Sequence, residues 1–228
     1  MKPFLSIVIP AYNEQSCIKE SLIKIYNYLT TQKLLSEIII VNDGSNDKTL
    51  DNINNFKNNN QNPMDNLLIV NNEKNIGKGY SVRKGVLFSK GDYVLFTDAD
   101  LSTPIDELAK LFSFIKEGYN IVIGSRDLPG SKIIVRQHII RESMGKFFNY
   151  LVRKIMKFKY RDTQCGFKIF DRKSVNLIFP YLKINDFSFD VEILYLAERL
   201  GLKVIEAPIT WNNSKDSKVK ILTLSVDF

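Results

Sequence analysis

The chain has 228 residues, 44% hydrophobic and 25% charged, which is enough for one domain whose core needs neither disulfides nor a structural metal. Its 2 cysteines, Cys17 and Cys165, lie far apart and outside any Cys-x-x-Cys spacing, so a disulfide framework and a zinc site are excluded, and a reducing cytosolic compartment is expected. The formal net charge is +7, and no uninterrupted apolar run approaches the roughly 18 residues that cross a bilayer.

A strand pattern opens the chain, with no leader expected before it: residues 4–9 are apolar and β-branched, followed by Pro10-Ala11-Tyr12-Asn13-Glu14. Ile18, Leu22, Ile25 and Leu29 then recur at helical spacing and predict one buried face. A second run, 37–41, leads into Asn42-Asp43-Gly44-Ser45, after which the Asn-rich tract 52–66 reads as a surface loop without function. Residues 67–70 form a third run, with Asn75-Ile76-Gly77-Lys78-Gly79 beyond it. The fourth run, 93–97, ends in Asp98-Ala99-Asp100. Thr103, Pro104 and Asp106 mark the start of another helix, Ile105, Leu108, Leu111, Phe112 and Ile115 its buried stripe, and Gly118 its close. Residues 120–123 are a fifth run. This alternation predicts an α/β domain with a mainly parallel sheet covered on both faces.

Open parallel sheets bind ligands at the carboxyl ends of their strands. Four of the five runs place acids, a lysine between glycines and an aromatic residue there. Asp98 and Asp100, two carboxylates leaving one strand at i and i+2, can converge on a hard cation and bridge it to a diphosphate. Taken singly, Glu14, Asp43 and Asp47 could equally be helix caps.

The positive charge is concentrated in residues 132–161. Nine basic residues stand there against one acid, Glu142, while the remaining 23 basic and 24 acidic residues nearly cancel. Ile139, Ile140, Met144, Phe147, Phe148, Leu151, Ile155, Met156 and Phe158 interleave with them, much of the set at helical spacing. A helix carrying both suits the plane of an anionic membrane surface; the alternative is a core helix with a solvated basic face. With no binding motif and a neutral remainder, nucleic acid is not an expected partner.

These motifs resemble the family-2 glycosyltransferases of GT-A fold, and among them the polyprenyl-phosphate branch that includes dolichyl-phosphate glucosyltransferases. The likeness rests on Ile7-Val8-Ile9-Pro10-Ala11-Tyr12-Asn13-Glu14, Val41-Asn42-Asp43-Gly44-Ser45, Asn75-Ile76-Gly77-Lys78-Gly79, Asp98-Ala99-Asp100 and Gly124-Ser125-Arg126. Asp162-Thr163-Gln164-Cys165-Gly166-Phe167-Lys168, Phe189-Asp190-Val191-Glu192 and Ala207-Pro208-Ile209-Thr210-Trp211 extend it. One departure is Leu101-Ser102, where some relatives place a glutamine that helps hold the metal.

The resemblance implies inverting transfer of a sugar, with glucose from UDP-glucose favoured, to a polyprenyl phosphate at the cytosolic face of a membrane. Pro10, Tyr12, Glu14, Asp43, Lys78 and Asp98 would bind the nucleotide sugar, and Asp98 and Asp100 would hold Mg²⁺ or Mn²⁺. Arg126 and Arg141 would grip the acceptor phosphate, unless they make ordinary surface salt bridges. Gln164 and the Asp190/Glu192 pair would line the acceptor or sugar side, with Arg126 and Asp190 counted beside Asp100 as catalytic. Ser217-Lys218 would close over the diphosphate. Whether the donor is GDP-mannose, the lipid dolichol or undecaprenol, and a separate membrane subunit required stays open.

Two rivals remain. A transferase acting on a polysaccharide or glycolipid hydroxyl would need a general base, for which Asp190 is the candidate. A non-catalytic nucleotide-sugar-binding subunit could dispense with Asp100 and Arg126. A dinucleotide oxidoreductase is disfavoured because no Gly-x-Gly-x-x-Gly follows the first strand. Neither Ser45 nor Cys165 has a recognisable nucleophile setting, His138 is the only histidine, and Trp211 is expected to anchor packing.

Overall fold

Each of the five apolar runs is a strand in the computed structural model: β1 (Leu5–Ala11), β2 (Ser36–Asn42), β3 (Leu67–Asn71), β4 (Tyr93–Thr97) and β5 (Ile121–Ser125). The structure describes residues 2–58, 66–135 and 139–213, and only the backbone of 139–144 and 146. Helix α1 (Ile18–Thr31) buries Ile18, Leu22, Ile25 and Leu29 as their spacing predicts. A single 3₁₀ turn, Ile105–Glu107, leads into α4 (Leu108–Lys116), and Gly118, at φ +92°, ends that segment.

The Asn-rich tract departs from expectation. Its first part belongs to α2 (Thr49–Lys57), whose Ile53 and Phe56 are buried against the sheet. Two apolar residues three apart are enough to seat a short helix on a core that the rest of the chain has already built. The asparagines between them lowered the apparent hydrophobicity without removing that contact. Residues 59–65 lie outside the described residues.

The remaining elements are α3 (Lys78–Phe88), β6 (Lys132–Val135), α5 (Ile139–Met156), β7 (Phe167–Asp171), α6 (Arg172–Ile178), α7 (Phe189–Arg199), β8 (Val204–Pro208) and β9 (Thr210–Asn212). The main sheet has the order β3-β2-β1-β4-β7-β5-β8 among the described residues. All its neighbours are parallel except β7, which runs against both β4 and β5. Because Thr97 pairs with Phe167, the start of β7 meets the carboxyl ends of the other strands. The 162–166 motif therefore reaches the same edge as Asp98 from the opposite chain direction.

Side chains alternate between two apolar layers, as the strand period of two requires. Leu5, Ile7 and Ile9 of β1 share one layer with Ile18, Leu22, Phe56, Leu108 and Leu111, so α1, α2 and α4 cover that face. Val8 joins Val82, Val86, Val175, Phe189 and Ile193 in the other, under α3, α6 and α7. Burial on both faces is why the strands read as continuous apolar runs.

A second, two-stranded sheet pairs β6 with β9 in parallel and sets Ile133 opposite Trp211. Helix α5 turns Asn149, Val152 and Met156 inward. The Asn149 side-chain oxygen accepts a hydrogen bond from Thr163 Oγ1 at 2.8 Å, tying the helix to the turn before β7. Phe147, Tyr150, Leu151, Arg153, Lys154 and Ile155 are exposed, so the outer side of the described part of α5 is apolar as well as basic. That mixture differs from a core helix with a solely charged outer face.

Candidate active site

The loops after β1 and β2 are stitched together. Asn13, in the left-handed region at φ +56°, donates its amide to Ser45 Oγ at 2.9 Å, and its side-chain oxygen accepts from Asn46 N at 2.8 Å. Glu14 N donates to Thr49 Oγ1 at 2.7 Å, and Asp47 accepts from the amides of Gln15 and Thr49. The capping alternative thus describes Asp47 at the entry to α2. Tyr12 is exposed beside these loops, whereas Pro10 is buried within β1 opposite Val41.

Asp43 is only 3% exposed and organises the next loop. Its Oδ1 accepts from Asn72 Nδ2 at 2.7 Å and from Ile76 N at 3.0 Å, and Oδ2 accepts from Gly77 N at 2.9 Å. Asn72 in turn accepts from Lys84 Nζ at 2.8 Å. Gly77 has φ +127°, and a Cβ there would run into the carbonyl oxygen of Asn185, so glycine alone fits at the entry to α3. The segment against which Gly77 packs is itself held by Glu192, whose carboxylate accepts from the amides of Lys183 and Ile184 at 3.0–3.1 Å. Glu192 therefore braces this loop through its backbone.

One residue beyond Gly77, the Lys78 ammonium meets Asp98 Oδ1 at 2.6 Å. It also lies 5.4 Å from the centroid of the Phe96 ring and 5.8 Å from that of Phe187. The backbone of Asp98 donates to Gly166 O at 3.1 Å, and a Cβ on Gly166 would overlap the Asp98 carboxylate. Asp100 is set differently. Leu101, at φ +47°, turns the chain back so that Ser102 donates both its amide and its hydroxyl to the Asp100 carboxylate, each at 2.9 Å. Burial and the neighbouring charge of Asp98 nevertheless push the Asp100 carboxyl above the usual range.

On the far side of the 162–166 turn, Arg126 makes a bidentate pair with Asp162 at 2.6 and 2.8 Å, and its guanidinium lies 5.5 Å from the centre of the Trp211 ring. Asp162 is fully buried; burial pushes its carboxyl upward, but the guanidinium prevails and holds it below the usual range. The buried Asp162 end sets this pair apart from the surface salt bridge offered as the alternative for Arg126, and the Trp211 ring packs against the guanidinium. Nη1 of Arg126 takes no part in the two side-chain bonds to Asp162. Gln164 is half-buried in the same turn. Cys165 is buried, and burial followed by the Asp162 charge pushes its thiol up to about 12, which removes it as a nucleophile.

Asp190 and Lys168 form a buried pair at 2.5 Å, and Lys168 Nζ also donates to Cys165 O at 2.6 Å. Burial pushes the Asp190 carboxyl up, against the pull of the Lys168 and Lys78 ammoniums. Sequence reasoning assigned Lys168 no role, although a lysine inside the apolar run Phe167-Lys168-Ile169-Phe170 is a signal that a buried acid awaits it. It also missed Asn72, Ser102 and Gly166 as supports of Asp43, Asp100 and Asp98. The side chain of Arg141, together with Arg136, His138 and Ser217-Lys218, lies outside the described residues.

Among the described residues, no cluster of three or more His, Cys, Asp or Glu could hold a metal, and no helix is long and apolar enough to cross a membrane.

Comparison with known proteins adds to this geometry. The profile of "Glycosyl transferase family 2" matches residues 6–179. The dolichyl-phosphate beta-glucosyltransferase of Dictyostelium discoideum is 33% identical over 233 residues, covering 98% of this chain and 71% of that protein. That of Saccharomyces cerevisiae is 35% identical, with the same coverage of 98% and 71%. Among solved structures, the chain is similar to glucosyl-3-phosphoglycerate synthase from Mycobacterium tuberculosis in complex with Mn²⁺ and UDP-glucose, with TM-score 0.69, 18% identity, and 95% of this chain and 73% of that one covered. It is also similar to the mannosyltransferase PcManGT from Pyrobaculum calidifontis in complex with GDP-Man and Mn²⁺, with TM-score 0.62, 18% identity, and 96% and 59% covered.

Proposed function

The chain belongs to glycosyltransferase family 2 and has the GT-A fold, and from that premise we propose that it transfers glucose from UDP-glucose to a polyprenyl phosphate such as dolichyl phosphate, with inversion. The observation that carries the reading is the convergence at the β4 exit: Asp98, Asp100 and Lys78 meet there beside the turn that holds Arg126. The names of the related proteins support the acceptor, and the ligands of the structural neighbours support a nucleotide-sugar donor.

Burial and then the Asp98 charge raise the Asp100 carboxyl, and a hard divalent cation suits such a pair because it would relieve the repulsion part of that shift. Mg²⁺ or Mn²⁺ on Asp98 and Asp100 would neutralise charge on the leaving diphosphate. Leu101-Ser102 stands where some relatives place a glutamine, and the Ser102 hydroxyl orients Asp100. Tyr12, Glu14 and Asp43 serve the nucleoside, Lys78 the diphosphate, and Arg126 with Arg141 the acceptor phosphate.

In the reaction a phosphate oxygen of the acceptor forms a bond to the sugar C1 as the C1–O bond to UDP breaks. A phosphate monoester is already an anion at neutral pH and needs no base. The candidate base, Asp190, is buried and paired with Lys168, which favours a phosphate over a hydroxyl acceptor. The exposed Phe147, Tyr150, Leu151 and Ile155 beside Arg153 and Lys154 support attachment of α5 to an anionic membrane surface, and the cytosolic face is part of the same proposal. The test is a screen of UDP-glucose and GDP-mannose against short polyprenyl phosphates, reading both released nucleotide and product lipid. UDP release coupled to a glucosyl-phosphate lipid is expected; transfer to a hydroxyl acceptor alone would refute the assignment.

A further inference from the structure

The contact between Lys78 and Asp98 brings two functions into conflict. At 2.6 Å the ammonium is on Asp98 Oδ1 itself, an oxygen of the pair proposed above to hold the divalent cation. Three carboxylates, Asp98, Asp190 and Asp100, act electrostatically on this lysine. Lys168 already neutralises Asp190 from the interior. Lys78 is thus the counter-ion of the Asp98/Asp100 side of the cluster.

A divalent cation and an ammonium cannot share one carboxylate oxygen without strong like-charge repulsion. A lysine can yield, because its charge sits at the end of a flexible four-carbon stem. Here the ammonium lies 5.4 Å from the Phe96 ring centroid and 5.8 Å from that of Phe187, and the side chain is 22% exposed. A diphosphate arriving with the cation offers a second anion to which the ammonium can turn.

We infer that Lys78 is a counter-ion switch: its ammonium competes with the divalent cation for Asp98, and a nucleotide diphosphate resolves the competition by drawing the lysine onto itself. The inference rests on the donor-site reading given above. Cation and nucleotide must then bind cooperatively, each strengthening the other by the same factor.

The experiment measures Mn²⁺ binding by electron paramagnetic resonance, with and without UDP, in the unaltered protein and in Lys78→Gln, Lys78→Met, Asp98→Asn and Lys24→Gln. Lys24 is exposed on α1, so its replacement changes net charge equally at a remote place. Lys78→Met keeps the apolar part of the stem, and thermal melting checks that every variant is folded. The unaltered protein should bind Mn²⁺ weakly alone and at least about tenfold more tightly with UDP, within the usual span of such couplings. Both Lys78 variants should bind Mn²⁺ alone about tenfold more tightly than the unaltered protein and lose most of the UDP enhancement. Asp98→Asn should abolish tight binding, and Lys24→Gln should change nothing. Folded Lys78 variants that bind Mn²⁺ no tighter, or a Lys24→Gln effect as large as theirs, would overturn the switch while leaving the donor site standing. Failure of the unaltered protein to bind Mn²⁺ even with UDP would overturn the donor-site reading itself, and the switch with it.

Discussion

Replacing Gly166 by alanine isolates the geometry of Asp98 from its chemistry. A Cβ at this position would lie 2.7 Å from Asp98 Oδ1 and nearer still to the other two carboxylate atoms, where ordinary contacts begin at 3.4 Å. Even the farthest atom must therefore retreat by about 0.7 Å, and the carboxylate as a whole by about an ångström, a displacement that can cost roughly 10²-fold when reacting groups are prealigned. The fold should tolerate this, because the atoms that move belong to a short side chain that is 34% exposed. The expected result is a loss of about 10²-fold in kcat/KM for UDP release with a melting temperature close to that of the unaltered protein. Because the substitution acts through Asp98, adding it to Asp98→Asn should cost little more. Gly166→Ala enzyme with activity within threefold of normal, or a full additional loss in the double variant, would refute the reasoning.

Three other outcomes follow from the site and its surroundings. Asp98→Ala and Asp100→Ala should abolish transfer and leave the fold intact, and excess chelator should do the same to the unaltered enzyme; undiminished turnover in chelator would falsify the metal reading. Arg126→Ala strands the fully buried Asp162 carboxylate and should lower stability by about 3–5 kcal/mol in denaturant titration, with Asp162→Asn recovering part of it in the double variant. The folded pKa of Asp162 lies below its unfolded value of about 3.9, so its contribution is complete above that value and lost as pH falls through the lower folded one; Arg126→Ala should erase that acid limb. Replacing Arg153 and Lys154 by Gln should weaken binding to anionic vesicles by about 1 kcal/mol each, and binding that ignores both salt and these changes would rule out the membrane role of α5.

The parts of the fold legible in the sequence are those whose signal is local. The five apolar runs and the spacing of Ile18, Leu22, Ile25 and Leu29 carry their own period, and the structure follows them to within a residue or two at the ends. Helix α2 was hidden because only Ile53 and Phe56 report its contact with the core. The reversal of β7 was hidden because strand direction is decided by the path of α5 and the 162–166 turn, not by any property of Phe167 to Asp171. Within the site, Asp98-Ala99-Asp100 was legible as a pair of acids at a strand end. Its supports were not: Gly166 lies 68 positions along the chain from Asp98, and Asn72 and Asp43 are 29 apart. Such partners are chosen by topology, and sequence spacing does not encode them.

The hydrogen bond from Thr163 to Asn149 links the exterior of the molecule to its interior. Because β7 runs backwards, the turn at its start is approached from α5, so the helix with the most exposed apolar face is covalently and by hydrogen bond the neighbour of the turn that seats Asp162 and Gly166. One five-residue turn therefore joins α5, through Asn149, to the buried Arg126–Asp162 pair and to the glycine packed on the Asp98 carboxylate.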